Sequence, residues 1–247
     1  MHTDPRTASA TEGTLLGRFA ADFLPPDLPQ PVRFRLLELA QPVGAAAGES
    51  LLADCIQGRI VHIAHGAAKL VAHASQQREQ VLSFHFAGDV VLVPARAAHG
   101  YALCALGACE GLAFAADPMF ELARSDAVLG HALLTRTRRA LSRSREKNIA
   151  LGRKTAQERV ASFLVAMVDR IGMPDGRGCV LDLPMTRRDI ADSLGLTIET
   201  ISRQLGELRD LGLLETSGRS LVRLLDLPRL EARAGHLAPP ALTKSSI

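Results

Sequence analysis

Two short capped helices and a hairpin near the C-terminus constrain the fold of this chain most. Thr186 and Asp189 form a capping box, which predicts a short helix that begins there and ends at Gly195. Thr197 caps a second helix, and the Ser-Gly turn in "LLETSGRSLVRLLD" predicts a hairpin after it. A helix, a tight turn, a second helix and a hairpin together predict a winged helix-turn-helix.

The second helix has one apolar and one polar face. The set predicted to be buried between the two helices is Ile190, Ala191, Leu194, Ile201, Leu205 and Leu208. Glu199, Ser202 and Arg203 lie together on the other face, within the first two turns. A carboxylate accepts from cytosine N4 and an arginine donates to guanine O6 and N7, so these three are predicted to read bases in double-stranded DNA. The alternative is an ordinary two-helix hairpin with a solvated polar face.

Side chains suited to DNA phosphates surround the predicted reading face. They are Arg187, Arg188, Thr197, Thr200, Gln204 and Arg219. Nine Lys or Arg residues from Arg136 to Arg159, against two Glu, also suit a polyanion, although a solvated helix face explains them equally well. With no Trp and one Tyr, the chain is a poor candidate for stacking single-stranded bases.

The first half of the chain has the pattern of a small β-domain. Short β-type runs, "RIVHIAHGAAKLVAH", "EQVLSFHFAGDVVLVP" and "YALCALGACEGLAF", are separated by Gly-containing turns. This spacing predicts a β-roll or barrel over residues 21–116, with a generic β-sandwich as the alternative. Residues 1–20 are predicted to be a disordered leader.

A long helix is predicted over residues 117–150, with Asp117 as its cap and Pro118 in its first turn. Steps of three and four residues define a heptad-like stripe that we call the dimer seam: Phe120, Ala123, Ala127, Gly130, Leu134, Thr137 and Leu141. The stripe favours a homodimer, and burial within one chain is the alternative. The winged domain is expected at residues 151–232, starting with a helix capped by Thr155 and Glu158, and a flexible tail at 233–247.

At "LPMTRRDIADSLGLTIETISRQLGEL" and, less strongly, at "VLSFHFAGDVV", the chain resembles Crp/Fnr-type transcriptional regulators of the FixK/Fnr branch. The resemblance covers roughly residues 30–230. It implies an α+β fold with an N-terminal cyclic-nucleotide-binding-type β-roll, a long dimerisation helix and a C-terminal winged helix-turn-helix. Glu199, Ser202 and Arg203 match the E-x-x-S-R residues of that branch, which implies an inverted repeat of the TTGAT/ATCAA type. Control of transcription by oxygen, redox or nitric-oxide-type signals, with RNA polymerase as partner, is implied in the same way.

Few residues of the chain match the ligand-binding residues known from this family. No cysteine precedes Cys55, and only Cys109 falls where Fnr places an internal cluster ligand, so a four-cysteine iron–sulfur cluster is not expected. Gly88-Asp89 matches part of a cyclic-nucleotide site, but the Arg-Ser pair is missing and Arg96 alone is a weak substitute.

A haem or small-ligand sensor with DNA binding secondary is the alternative function. An axial haem ligand would come from the histidines of the β-domain, His62, His65, His73, His85 and His99, for which scattered structural roles are the simpler reading. Cys179 is either a redox-sensitive thiol or a small buried hydrophobe. The chain has no catalytic elbow, P-loop or metal-spaced carboxylate pair, so an enzyme is not expected, and with no signal peptide or membrane-length apolar run we expect a cytoplasmic location.

Overall fold

The chain folds into two compact units, residues 1–145 and 146–247. The computed structural model describes residues 5–52, 55–73, 79–96 and 99–235, with side chains from residue 13 onward. The division falls at 145/146, upstream of the predicted border between 150 and 151, because the last turns of the long helix bond to helices of the second unit. Among the described residues, no helix has the length and apolar character needed to cross a membrane.

The first unit is built on two antiparallel sheets. Its elements are α1 Pro5–Phe23, α2 Gln30–Glu38, β1 Gln41–Ala45, β2 Arg59–His65, β3 Ala67–His73, β4 Glu79–Phe86, β5 Val90–Val93, β6 Gly100–Ala105, β7 Cys109–Ala115, α3 Ala116–Ser125 and the greater part of α4 Ala127–Arg153. The strand orders are β1-β7-β2-β5 and β4-β3-β6. Each predicted β-type segment forms two consecutive strands, and the predicted α+β class is confirmed.

The expectation of a disordered leader at residues 1–20 is wrong from residue 5 onward, where α1 begins. Leu15, Phe19 and Phe23 are buried in one core cluster with strands of the sheet. The Phe19 ring lies 5.0 Å from that of Phe23 and 4.8 Å from that of Phe114 between centroids. Steps of four place these side chains on one face of the helix, and their burial on the sheet stabilises a segment that looks weak in isolation. Residues 1–4 lie outside the described part.

The predicted single helix from Asp117 is divided into α3 and α4 at Asp126. Asp126 has an extended backbone (φ −135°, ψ 117°), and its carboxylate accepts the Leu129 N–H at 2.8 Å, as an N-cap does. Asp117 is not the cap of α3, because the helix begins one residue earlier, after Ala115. The break places the first two residues of the dimer seam, Phe120 and Ala123, on a different helix from the other five.

The second unit confirms the local predictions made for it. Its elements are the end of α4, α5 Ala156–Ile171, β8 Met173–Asp175, β9 Gly178–Asp182, α6 Arg187–Leu194, α7 Ile198–Asp210, β10 Leu214–Ser217, β11 Leu221–Leu224 and α8 Leu227–Arg233. Both predicted capping boxes form, and Gly195 ends α6 in the left-handed region at φ 62°. The hairpin β10–β11 turns after Ser217 and pairs with β9 in the sheet order β10-β11-β9-β8. Of the predicted tail, residues 236–247 lie outside the described residues.

Candidate nucleic-acid interface

Helix α7 presents one face to the core of its unit and the other to solvent. All six residues predicted to be buried between α6 and α7 are buried. Glu199, Ser202 and Arg203 are exposed, and the side chain of Arg203 retains 66% of its accessible surface. The predicted reading face is therefore open and lies in the first two turns of the helix.

The N-terminus of α7 carries a hydroxyl pair and an ionised carboxylate. The Thr200 N–H donates to the Thr197 hydroxyl at 3.2 Å, and the two threonine hydroxyls lie 3.1 Å apart. Hydrogen bonds from its own backbone N–H and from the Thr197 hydroxyl lower the pKa of the Glu199 carboxyl. Glu199 is thus a hydrogen-bond acceptor at neutral pH, which is the state that a cytosine amine requires.

Ser202 and Arg203 make only weak or local contacts. The Ser202 hydroxyl donates to the Ile198 carbonyl one turn earlier, at 3.0 Å. Arg203 Nε lies 3.9 Å from Glu207 Oε1, an exposed pair of little energetic weight. Since these contacts are easily exchanged, the guanidinium can turn to a guanine edge at small cost.

The predicted phosphate contacts divide into accessible and inaccessible side chains. Arg188 and Arg219 are exposed, the latter in the turn between β10 and β11. Arg187 is half-buried, and burial lowers its pKa. Gln204 is only 6% exposed, so the prediction that it contacts a phosphate is wrong for this conformation. It follows Arg203 in sequence but points to the core side with Ile201 and Leu208, since residues three and four apart share a helix face.

A buried lysine was missed by the sequence analysis. Lys147 Nζ donates to the Ser193 hydroxyl at 3.0 Å, and burial lowers the pKa of this amine to about 8. In sequence it is one of nine basic residues in a run, and no periodic signal separates it from its exposed neighbours. Only the packing of the second unit identifies it.

Three candidate ligand-binding residues of the first unit, His62, His85 and Cys109, are buried in its own structure. His62 is fully buried with Nε2 2.8 Å from Asp22 Oδ2, and His85 Nε2 lies 2.7 Å from the Ser83 hydroxyl. Burial and the neighbouring Glu110 raise the pKa of the Cys109 thiol to about 11, so this cysteine is not a thiolate at neutral pH. Within the described ranges, no group of three His, Cys, Asp or Glu side chains is placed to hold a metal ion.

The side chains of the dimer seam differ in how far they are exposed to solvent. Phe120, Leu134 and Leu141 are exposed by 45%, 58% and 48%, which is unusual for large apolar side chains. Ala123 instead packs against the core of its own unit. Ala127 and Thr137 are exposed, and a Cβ at Gly130 would lie 3.0 Å from the Ala123 carbonyl oxygen, so α3 passes close to the first turn of α4 there.

The chain is similar to known regulators over most of its length. Residues 158–233 match the model of the Crp-like helix-turn-helix domain. Over 197 residues, the chain is 31% identical to the nitrogen fixation regulation protein FixK of Bradyrhizobium diazoefficiens, covering 79% of this chain and 83% of that protein. It is 32% identical over 180 residues to the transcriptional activator protein FnrL of Cereibacter sphaeroides, covering 71% of this chain and 73% of that protein.

A solved structure has the same fold. The structure of FixK2 from Bradyrhizobium japonicum aligns with a TM-score of 0.72 and 30% identity, covering 81% of this chain and 99% of that one. With the winged helix-turn-helix and the exposed polar face of α7, these similarities establish that the chain is a DNA-binding transcriptional regulator of the Crp/Fnr family, on its FixK-like branch.

Proposed function

We propose that this regulator acts as a homodimer that binds an inverted repeat of the TTGAT/ATCAA type. The observation that carries the proposal is the exposed set Glu199, Ser202 and Arg203 on the first two turns of α7. In a dimer, two such helices would enter successive major grooves about 34 Å apart on one face of the duplex. Exposed Arg188 and Arg219 would add affinity that does not depend on sequence.

The exposed apolar side chains of the dimer seam support the dimer. Leu134 and Leu141 are one heptad apart on α4 and are each about half exposed, as expected of residues that await a partner helix. Phe120 adds a third apolar side chain on α3. A second copy of the chain is the simplest occupant of such a stripe, because symmetry supplies a self-complementary surface.

For the input, we propose an oxygen, redox or nitric-oxide-type signal received without a four-cysteine iron–sulfur cluster. The described cysteines are scattered over both units, and the one at the position of an Fnr ligand, Cys109, is a buried, protonated thiol. For the output, we propose activation through RNA polymerase. Similarity to FnrL, whose name describes it as a transcriptional activator, supports this direction.

Selection of bound sites from random double-stranded DNA tests the proposal directly. The full chain should enrich two half-sites of the TTGAT/ATCAA type, and parallel selections with and without oxygen test the input. Arg203→Ala should weaken binding to the enriched site by about 1–3 kcal/mol per half-site and relax preference at one base pair in each half-site. Sedimentation equilibrium of the same preparation gives the oligomeric state.

Arg209→Ala is the matched control, because Arg209 is an exposed arginine in the last turn of the same helix. It should leave the preferred sequence unchanged. If Arg203→Ala discriminates between the enriched and a scrambled site as well as the wild type does, the assignment of base-reading residues is wrong.

A further inference from the structure

Arg159, near the start of α5, joins three backbone carbonyls from two other parts of the second unit. Its Nη2 donates to the Leu151 carbonyl at 2.8 Å and its Nε to the Lys154 carbonyl at 3.0 Å, both at the end of α4. Its Nη1 donates to the Leu194 carbonyl at 3.0 Å, at the end of α6. One side chain therefore contacts the C-terminal ends of two helices at once.

The chemistry of these positions requires an arginine. The last carbonyls of a helix have no partner within the helix and carry partial negative charge, and Leu151 and Leu194 both lie in such last turns. A guanidinium has five N–H donors in a rigid fork and can reach several acceptors in fixed directions. A lysine at position 159 has a single ammonium and would satisfy only part of the set.

Two lysines support the same arrangement. Lys147 Nζ on α4 donates to the Ser193 hydroxyl on α6 at 3.0 Å, one residue before the carbonyl that Arg159 contacts. Lys154 Nζ donates to the Ser162 hydroxyl on α5 at 2.7 Å and to the Ala234 carbonyl after α8 at 2.6 Å. The end of α4 is thus bonded into the helix-turn-helix unit at several points.

We propose that Arg159 is a positioning residue for DNA recognition, which fixes the direction of the reading helix α7 relative to the end of α4. Helix α6 is followed by α7 after the tight turn at Gly195, so a link from α4 to the end of α6 also orients α7. The inference rests on the proposed homodimer, in which α4 carries most of the dimer seam. In that dimer, Arg159 sets the distance between the two reading helices and hence the spacing of half-sites that the protein accepts.

The experiment measures the affinity of the full chain for a set of DNA duplexes. The duplexes carry one half-site, or two inverted half-sites separated by the preferred spacing or by one or two base pairs more or less. Wild-type protein should favour its preferred spacing by about tenfold or more, because only that spacing lets both heads bind at once. Arg159→Met should reduce this preference to about threefold or less while leaving affinity for the single half-site within about twofold. Arg159→Lys should lie between the two, and Arg153→Met, which changes an exposed arginine at the end of α4, should match the wild type.

The outcomes separate a positioning role from a merely structural one. If circular dichroism shows that the Arg159→Met protein is folded, and it keeps the sharp spacing preference of the wild type, the inference is overturned. If that variant does not fold, Arg159→Lys decides: a broadened spacing preference supports the inference, and wild-type sharpness overturns it. A wild type with no spacing preference would overturn the homodimer as well, whereas equal sharpness in wild type and variant overturns the role of Arg159 alone.

Discussion

The two units of this regulator differ in whether their reactive side chains are buried or exposed. In the first unit, His62 is fully buried against Asp22, and Cys109 lies in the sheet core with its pKa raised to about 11. In the second unit, Glu199 and Arg203 point to solvent, and the arginine has only a 3.9 Å contact with Glu207 to give up. Polar groups of the first unit hold its structure together, whereas those on α7 remain available to a partner.

This difference separates residues that build the protein from residues that we propose to act on DNA. A buried, bonded group is costly to remove and is not available to a ligand, because its donors and acceptors are already used. An exposed group with weak contacts contributes little to folding and can be optimised for recognition. Residue type alone does not distinguish the two classes, since both units contain acids, hydroxyls and basic groups.

The largest effect that tests this comparison is expected on the stability of the first unit, where α1 packs against the sheet. Phe19→Ala should lower the free energy of unfolding of that unit by about 3–5 kcal/mol, because the ring is fully buried between Phe23 and Phe114. Tyr101 is the single tyrosine of a chain without tryptophan and lies in β6, so its fluorescence in a denaturant titration reports on the first unit.

Phe34→Ala is the control, since that ring on α2 is 65% exposed and its loss should change stability by no more than about 0.5 kcal/mol. If the two variants were equally stable, α1 would not be docked in solution, and the expectation of a disordered leader would return.

The sequence predicted the second unit well because its determinants are local. A capping box, a glycine in the left-handed region and a Ser-Gly turn each act within about four residues, so Thr186, Gly195 and Ser217 are visible without knowledge of the fold. The six buried residues of the helix pair followed from the same short-range periodicity, whereas the α+β class was implied by the family resemblance.

The error at α1 arose because distant residues decide the structure there. Helix α1 is weak as a sequence and depends on Phe114 and other residues of the sheet, about ninety positions away. The division at Asp126 follows from a cap that interrupts an otherwise continuous heptad pattern. At Gln204 the error was one of residue type, because its spacing from Ile201 and Leu208 puts it on the buried face of α7 although it is polar.

An effect of intermediate size is expected on the stability of the first unit when the pH is lowered. Burial, the largest influence, lowers the pKa of His62, and the hydrogen bond that its ring donates to the Asp22 carboxylate opposes it while Arg136 and Arg18 add to the lowering. The unfolded chain therefore binds a proton on His62 at a higher pH than the folded chain does. The contribution of His62 to the free energy of unfolding is fully present above the unfolded pKa and is lost as the pH falls below that value. The loss should be at most about 1.4 kcal/mol per pH unit.

Denaturant titrations of Tyr101 fluorescence between pH 7.5 and 5 measure this slope. His62→Gln should flatten it, because the amide does not titrate, whereas His73→Gln, at a side chain that is 46% exposed, should leave the wild-type slope in place. A His62→Gln profile that stays as steep as the wild type would mean that other groups cause the acid sensitivity.

The smallest effect is expected at Gln204, where the comparison applies within the reading helix itself. Its Oε1 is buried without a hydrogen-bond partner, so Gln204→Leu should leave stability unchanged or raise it by up to about 1 kcal/mol. Because the side chain lies on the buried face, the substitution should leave the affinity for DNA at fixed salt within about twofold of the wild type, whereas Arg188→Ala should weaken binding and reduce the slope of log affinity against log salt concentration by about 1 per half-site, since it removes one phosphate contact from each protomer. A clear loss of affinity for Gln204→Leu would show that this side chain turns outward on DNA and joins the exposed class after all. In that event, burial in the free protein would not be a sufficient guide to which residues of α7 act on DNA, and the distinction between building and recognising residues would hold for the first unit only.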